Sequence, residues 1–263
     1  MSPWLVFNEL TQEKTELFNP PEVACVSPLT SCYSYLAPVL MSKNWWKALC
    51  VVLLLYVAVA GLLMPVPRLA ILNESIRNLY FHVPMWFGMT FILIASVYYS
   101  IRYLRAPSAE LDIRAHEAAR IGILMGCVGL ATGSIWARYT WGAWWTNDPK
   151  LNGAAIAMLI YGAYLVLRSS FTDEQQRARI SAIYNIFAFA TAMPLFYILP
   201  RLTDSLHPGA GGNPAFAKYD LDSDMRLVFY PAVIGWTLLA FWLAQVASRL
   251  SVLKLKLYEK QLA

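Results

Sequence analysis

Charged side chains are scarce in this chain. Only 14% of its 263 residues are Asp, Glu, Lys or Arg, whereas a soluble globular domain carries about a quarter. Hydrophobic residues make up 58%, and the mean hydropathy is +0.47. So little charge cannot keep so apolar a chain in water, and the composition places it in a membrane. Cysteine numbers four. Six residues separate Cys25 from Cys32, which is neither the C-x-x-C redox spacing nor a zinc pattern. Cys50 and Cys127 fall in apolar stretches, where a thiol is a small packing group. No phosphate-binding loop is present either, because the glycines of G-A-G-G-N-P at 209–214 are not followed by Gly-Lys-Ser/Thr. The chain is therefore not itself an ATPase. The alternating run Asp220, Asp222, Asp224 has Pro231 where a calcium loop requires its glutamate. No serine, histidine and carboxylate arrangement points to a hydrolase.

Long apolar runs are abundant. A spanning helix needs roughly 20 mostly apolar residues, because the bilayer core offers no water to satisfy peptide groups. Six windows qualify: Trp45 to Met64, Val83 to Arg102, Ala118 to Ala137, Leu151 to Leu167, Ile180 to Leu199 and Val228 to Ala247. None of the six windows contains an acidic residue, which argues against a proton-coupled pathway. The expected fold is an all-α integral membrane protein, a bundle of six transmembrane helices. One set of connecting loops holds thirteen lysines and arginines and the opposite set seven. Because cytoplasmic loops carry the excess, both termini are expected to be cytoplasmic. The net charge of +5 follows from this bias and implies no nucleic-acid partner.

Residues 1–40 differ from the rest, with Cys25, Cys32 and no apolar window long enough to span. They are expected to form a poorly ordered leader, with Met41 as an alternative start. Residues 41–250 form the six-helix membrane domain, and 251–263 a basic cytoplasmic tail carrying Lys254, Lys256 and Lys260.

Two of the three histidines fall on the outward side. His82 lies in F-H-V-P-M-W-F-G, where Pro84 suits the first turn of a helix and puts the imidazole just before the second span. His207 lies in the turn-rich run L-H-P-G-A-G-G-N-P after the fifth span. The third, His116, is expected to be a solvated residue of a cytoplasmic helix. Between the two outward histidines, the loop at 136–150 carries four of the ten tryptophans. Trp141, Trp144, Trp145 and Asp148 are spaced i, i+3, i+4 and i+7, so a helix through them would gather them on one face. Tryptophan is also common at any membrane interface. Asp148-Pro149 before an apolar run equally reads as an N-cap with proline at the first helical position.

A porphyrin accounts for this combination. It offers a large apolar face to indoles, and its iron takes imidazole ligands from above and below. Its propionates need cations, for which Arg77, Arg138, Lys150, Arg201 and Arg226 are all on the outward side. The candidate cofactor-binding residues are thus His82, His207, Trp141, Trp144, Trp145 and Asp148, with His82 and His207 as metal ligands.

The run W-G-A-W-W-T-N-D from Trp141 to Asp148 resembles the tryptophan-rich signature W-G-x-x-W-x-W-D of the heme-handling proteins of cytochrome c assembly. Asn147 stands where that pattern has tryptophan. The resemblance extends over Trp45 to Leu250 and takes in the histidine segments around His82 and His207. Because none of the six windows holds a histidine, the chain is more similar to the shorter branch of that family than to the longer cytochrome c synthases. The resemblance implies a heme-binding, non-enzymatic component of the bacterial inner membrane with its heme site facing the periplasm. It also implies partnership with an ABC-type ATPase, a permease subunit and a membrane-anchored heme chaperone that receives heme. The alternatives are a subunit of a synthase that ligates heme to apocytochrome, and a solute transporter.

In the third span, Gly122, Gly126, Gly129 and Gly133 form one stripe, as expected of a surface where helix backbones approach closely in lipid.

Overall fold

A computed structural model describes residues 43–68, 72–203, 205–207 and 221–262. The leader, with Met41, Cys25 and Cys32, lies outside these residues, as do Asp220 and the glycine run after His207. From Trp46 onward the described residues belong to one compact unit.

Six long helices carry the fold, and each is long and apolar enough to cross a membrane. They are α1 (Trp45–Leu63), α2 (Leu79–Arg105), α3 (Ala109–Trp141), α4 (Pro149–Ser169), α5 (Glu174–Tyr197) and α6 (Ser223–Leu262). A 3-10 turn, Asn73–Asn78, leads into α2, and a single turn of helix, Leu199–Leu202, follows α5. The apolar windows locate every helix and miss their ends. Capping residues and charged flanking turns extend the helices past the apolar windows: Ser108 caps α3 by accepting from the Leu111 N–H at 3.2 Å, and Asp173 caps α5 through the Gln176 N–H. The last helix runs for 40 residues, about 60 Å at 1.5 Å per residue, and continues unbroken through the basic stretch that begins at 251.

At the centre lies α2, packed against α3, α5 and α6, while α4 packs on α5. The glycine stripe of α3 faces α2 and α4. A Cβ on Gly122 would strike the Leu93 side chain, and one on Gly126 would strike Met158. These contacts bear out the packing expectation. The outer surface is apolar: Val52, Leu55, Val59, Leu62 and Leu63 are exposed along α1, and Leu159 and Val166 along α4. Exposed apolar surface of this extent is costly in water and matched in lipid.

Two groups of polar side chains inside the bundle pair with one another. Asn185 donates to Ser96 and Ser100 at 2.7 and 2.9 Å. Arg168 at the end of α4 makes a bidentate pair with Asp112 at the start of α3, at 2.8 and 2.6 Å. His116 departs from expectation. It is half-buried rather than solvated, with Nδ1 3.2 Å from the Tyr164 hydroxyl, because α3 begins nine residues before the apolar window and carries His116 into the helix packing.

Candidate functional site

At one end of the bundle the start of α2, the last turns of α3 and the segment around His207 enclose a cavity of about 210 Å³. Its walls are mostly apolar and include His82, His207, Trp86, Trp136, Trp141 and Trp145. Two imidazoles from opposite halves of the sequence thus share one aromatic chamber.

His82 occupies the first turn of α2 rather than the residue before it. The helix starts at Leu79, and Pro84 lies inside it, because the 3-10 turn at Asn73–Asn78 feeds directly into helical backbone. Glycine makes room for the imidazole, since a Cβ on Gly133 would lie 2.8 Å from His82 Cε1. His82 Nδ1 is 3.0 Å from the Thr132 hydroxyl. That hydroxyl spends its single hydrogen on the carbonyls of Val128 and Gly129, so it accepts from Nδ1–H. The lone pair therefore resides on Nε2, where the Trp86 indole N–H donates at 3.3 Å. Trp86 is held in turn by Phe196, at 5.2 Å between ring centroids. A Cβ on Gly129 would lie 2.7 Å from the Trp86 ring. Two of the four stripe glycines therefore serve the site as well as the packing.

His207 is fixed from behind by Asp148. Its Nδ1 is 3.0 Å from Asp148 Oδ1. An ionised carboxylate only accepts, so here too Nδ1 carries a hydrogen, and Nε2 is the nitrogen turned away from the carboxylate. Trp141 packs edge-on against the His207 ring at 5.1 Å. The N-cap reading of Asp148 holds: Oδ1 also caps α4 by accepting from the N–H groups of Lys150 and Leu151. Oδ2 accepts from the Leu206 N–H at 2.7 Å and the Ser205 hydroxyl at 2.9 Å. Asp148 is 2% exposed. Burial pushes its pKa up, but the hydrogen bonds from His207, Leu206 and Ser205 outweigh burial and hold it well below the usual carboxylate range.

The tryptophans do not share one helical face. Helix α3 ends at Trp141, and Gly142 caps it with φ 76°, a left-handed conformation that glycine adopts without a Cβ penalty. Arg138 donates to the freed Gly142 carbonyl. Beyond this break the chain runs irregularly to Pro149. Trp141 and Trp145 line the cavity, whereas Trp144 is 60% exposed and is not among its lining residues. Asn147, the departure from the tryptophan-rich pattern, accepts from Asn152 at 2.6 Å, and Asn152 accepts from the Trp145 indole at 3.3 Å. An asparagine relay thereby anchors Trp145.

Of the five cations on this side, Lys150 alone among those with described side chains lines the cavity. Arg77 is spent on Glu74 and on the carbonyls of Gly61 and Met64, and Arg226 on the Leu221 carbonyl. The side chain of Arg201 lies outside the described set. The residues that the sequence reading did not single out are Trp86, Trp136 and Thr132. His82 and Trp86 stand at i and i+4 of a helical segment, and that spacing was the available signal.

Residues 27–263 match the family described as heme exporter protein C. The chain is 29% identical over 187 residues to a heme exporter protein C of Haemophilus influenzae, an alignment covering 69% of this chain and 73% of that protein. It is 25% identical over 185 residues to the protein of the same description from Paracoccus denitrificans, covering 70% and 76%. A shorter stretch of 82 residues is 40% identical to cytochrome c biogenesis protein CcsA of Prochlorococcus marinus, covering 31% of this chain and 26% of that protein.

Proposed function

This chain belongs to the heme exporter protein C family, and on that premise we propose that it holds heme at the periplasmic surface of the bacterial inner membrane and delivers it to a membrane-anchored heme chaperone during cytochrome c maturation. It acts as a non-catalytic component beside an ABC-type ATPase and a permease subunit, with both its termini in the cytoplasm. The observation that carries this reading is the pairing of His82 and His207 on one aromatic cavity, each tethered through Nδ1, which leaves Nε2 as the nitrogen for iron. Neutral imidazoles oriented through the far nitrogen are what iron ligation requires. The donor set fits heme, with two imidazoles for the iron, the indoles of Trp86, Trp136, Trp141 and Trp145 for the macrocycle, and Lys150 for a propionate.

Size bears on how the cargo is held. Pockets that engulf a drug-sized ligand measure roughly 300–1,000 Å³, against about 210 Å³ here. A porphyrin is therefore gripped by part of its face and edge rather than swallowed. That partial grip suits a protein that must also release its cargo. The test is the absorption spectrum of the purified protein. Wild type shows a Soret band, and His82→Ala and His207→Ala each shift or lose it. A band unchanged in both variants would remove the two ligands, and thioether formation on apocytochrome without the chaperone would overturn the non-catalytic role.

The indole of Trp86 occupies the nitrogen of His82 that iron needs. Ligation must therefore displace it, and Trp86→Phe, which keeps the ring and removes the donor, slows heme dissociation. One neutral hydrogen bond is worth about 0.5–1.5 kcal/mol, so a decrease of roughly threefold to tenfold is expected in the transfer of heme to apomyoglobin. An unchanged or faster rate would mean that the bond does not compete with iron.

A further inference from the structure

A second cavity, of about 550 Å³, lies toward the opposite end of the bundle, among α1, α2, α3 and α6. Its lining includes Tyr99, which follows His82 by seventeen residues on α2, about 25 Å along the helix axis. The cavity has an apolar half, with Ile92, Ala118, Phe241 and Ala244, and a cationic half, with Arg114, Arg249 and Lys256. Its single carboxylate, Glu110, is paired with Arg114. Arg249 and Lys256 form no ion pair among the described residues. One polar atom is left over as well: Gln245 Oε1 is buried without a hydrogen-bond partner.

Position narrows the ligand. Arg114 lies four residues before the apolar window of α3, and Arg249 two residues after that of α6. Both therefore sit within the headgroup layer, about 5–8 Å deep on each side of a 30 Å hydrocarbon core. Helical side chains lean toward the N-terminus of their helix. On α6 that direction brings Lys256 back toward the membrane, and on α3 it brings Arg114 outward, so the cations converge on one layer. Nearby, Trp46 and Trp242 meet edge-on at 6.5 Å with the Lys47 ammonium over both rings, the aromatic anchoring expected at a membrane boundary.

We propose that this cavity seats the headgroup of an anionic phospholipid of the phosphatidylglycerol class from the adjacent leaflet. The phosphate meets Arg249 and Lys256, a glycerol hydroxyl donates to Gln245 Oε1, and the first acyl segment lies against Phe241 and Leu253. A soluble anion would have no use for the apolar half. Phosphatidic acid supplies the charge without the polyol donor, and phosphatidylethanolamine supplies a donor while cancelling the charge. Neither satisfies both features. Basic pockets between transmembrane helices recognise anionic lipids in this way.

The experiment is native mass spectrometry of the delipidated full-length protein, reloaded separately with phosphatidylglycerol, phosphatidic acid and phosphatidylethanolamine. Wild type is expected to retain phosphatidylglycerol at least tenfold better than phosphatidylethanolamine. Arg249→Ala with Lys256→Ala, two exposed positions, abolishes that preference, whereas Gln245→Leu reduces the preference over phosphatidic acid alone. Absence of a preference in wild type, its persistence in the double variant, or displacement of the lipid by millimolar inorganic phosphate would each overturn the assignment. So would cross-linking of the lipid-free cavity to a partner subunit, which would identify it as a protein interface. The histidine cavity supplies none of these residues, so the outcome is independent of the heme reading.

Discussion

Asp148→Asn abolishes heme retention nearly as completely as loss of His207 itself. The carboxylate accepts from five donors: the Lys150 and Leu151 N–H groups and His207 Nδ1 at Oδ1, and the Leu206 N–H and Ser205 hydroxyl at Oδ2. An asparagine offers one acceptor oxygen and an amide nitrogen that donates. Whichever way it is turned, a donor faces donors in a position 2% exposed. A buried donor left unsatisfied costs about 1–3 kcal/mol, and each 1.4 kcal/mol is tenfold in an equilibrium. Residues that orient a metal-binding histidine typically alter affinity by roughly tenfold to a hundredfold, and a hundredfold loss is expected here because the same substitution also weakens the α4 cap. Heme titration of the purified variant measures it, and an affinity within threefold of wild type would show that His207 does not depend on this tether. The pH dependence follows in sign. Because the native pKa is depressed below the unfolded value of 3.8, the carboxylate's contribution to stability is fully present above pH 3.8. It is lost only as pH falls through the lower native value. Asp148→Asn removes this component, so the variant's stability changes less than that of wild type on acidification below pH 4.

How much of this could be read from the sequence depends on which force wrote the signal. Burial in lipid selects runs of apolar residues, so the six windows locate all six helices. Charged flanking turns leave no hydropathic trace, which is why α3 starts at Ala109 and α6 reaches Leu262. The histidine pair was legible because imidazole is rare in this chain and indole is concentrated between the two positions. The face through Trp141, Trp144 and Trp145 was not, since periodicity presumes continuous helix and a single residue, Gly142, interrupts it. The Asp-Pro step showed the cap at Asp148, but its bonds to Ser205, Leu206 and His207 join residues 57 to 59 positions apart. No local pattern reports such distances. Thr132 was invisible for the same reason, its partner lying 50 residues away on another helix.

The largest expected loss of stability lies at the other end of the bundle. Arg168 and Asp112 form a two-pronged pair whose side chains are only 10% and 14% exposed, joining the last turn of α4 to the first turn of α3. Arg168→Met keeps the aliphatic stem and strands the carboxylate. Breaking a buried pair in this one-sided way typically costs about 3–5 kcal/mol. The variant is therefore expected to unfold at markedly lower temperature, or lower denaturing-detergent fraction, than wild type. The double variant Asp112→Leu/Arg168→Met removes both charges, and buried pairs replaced by apolar groups are often neutral or better. Most of the lost stability is then recovered, whereas equal instability of the single and double variants would mean that the pair acts through helix geometry rather than through an unpaired charge. Heme binding distinguishes this site from the first prediction. The pair touches neither histidine, so the folded fraction of Arg168→Met keeps the wild-type Soret band, while Asp148→Asn loses the band in protein that remains folded.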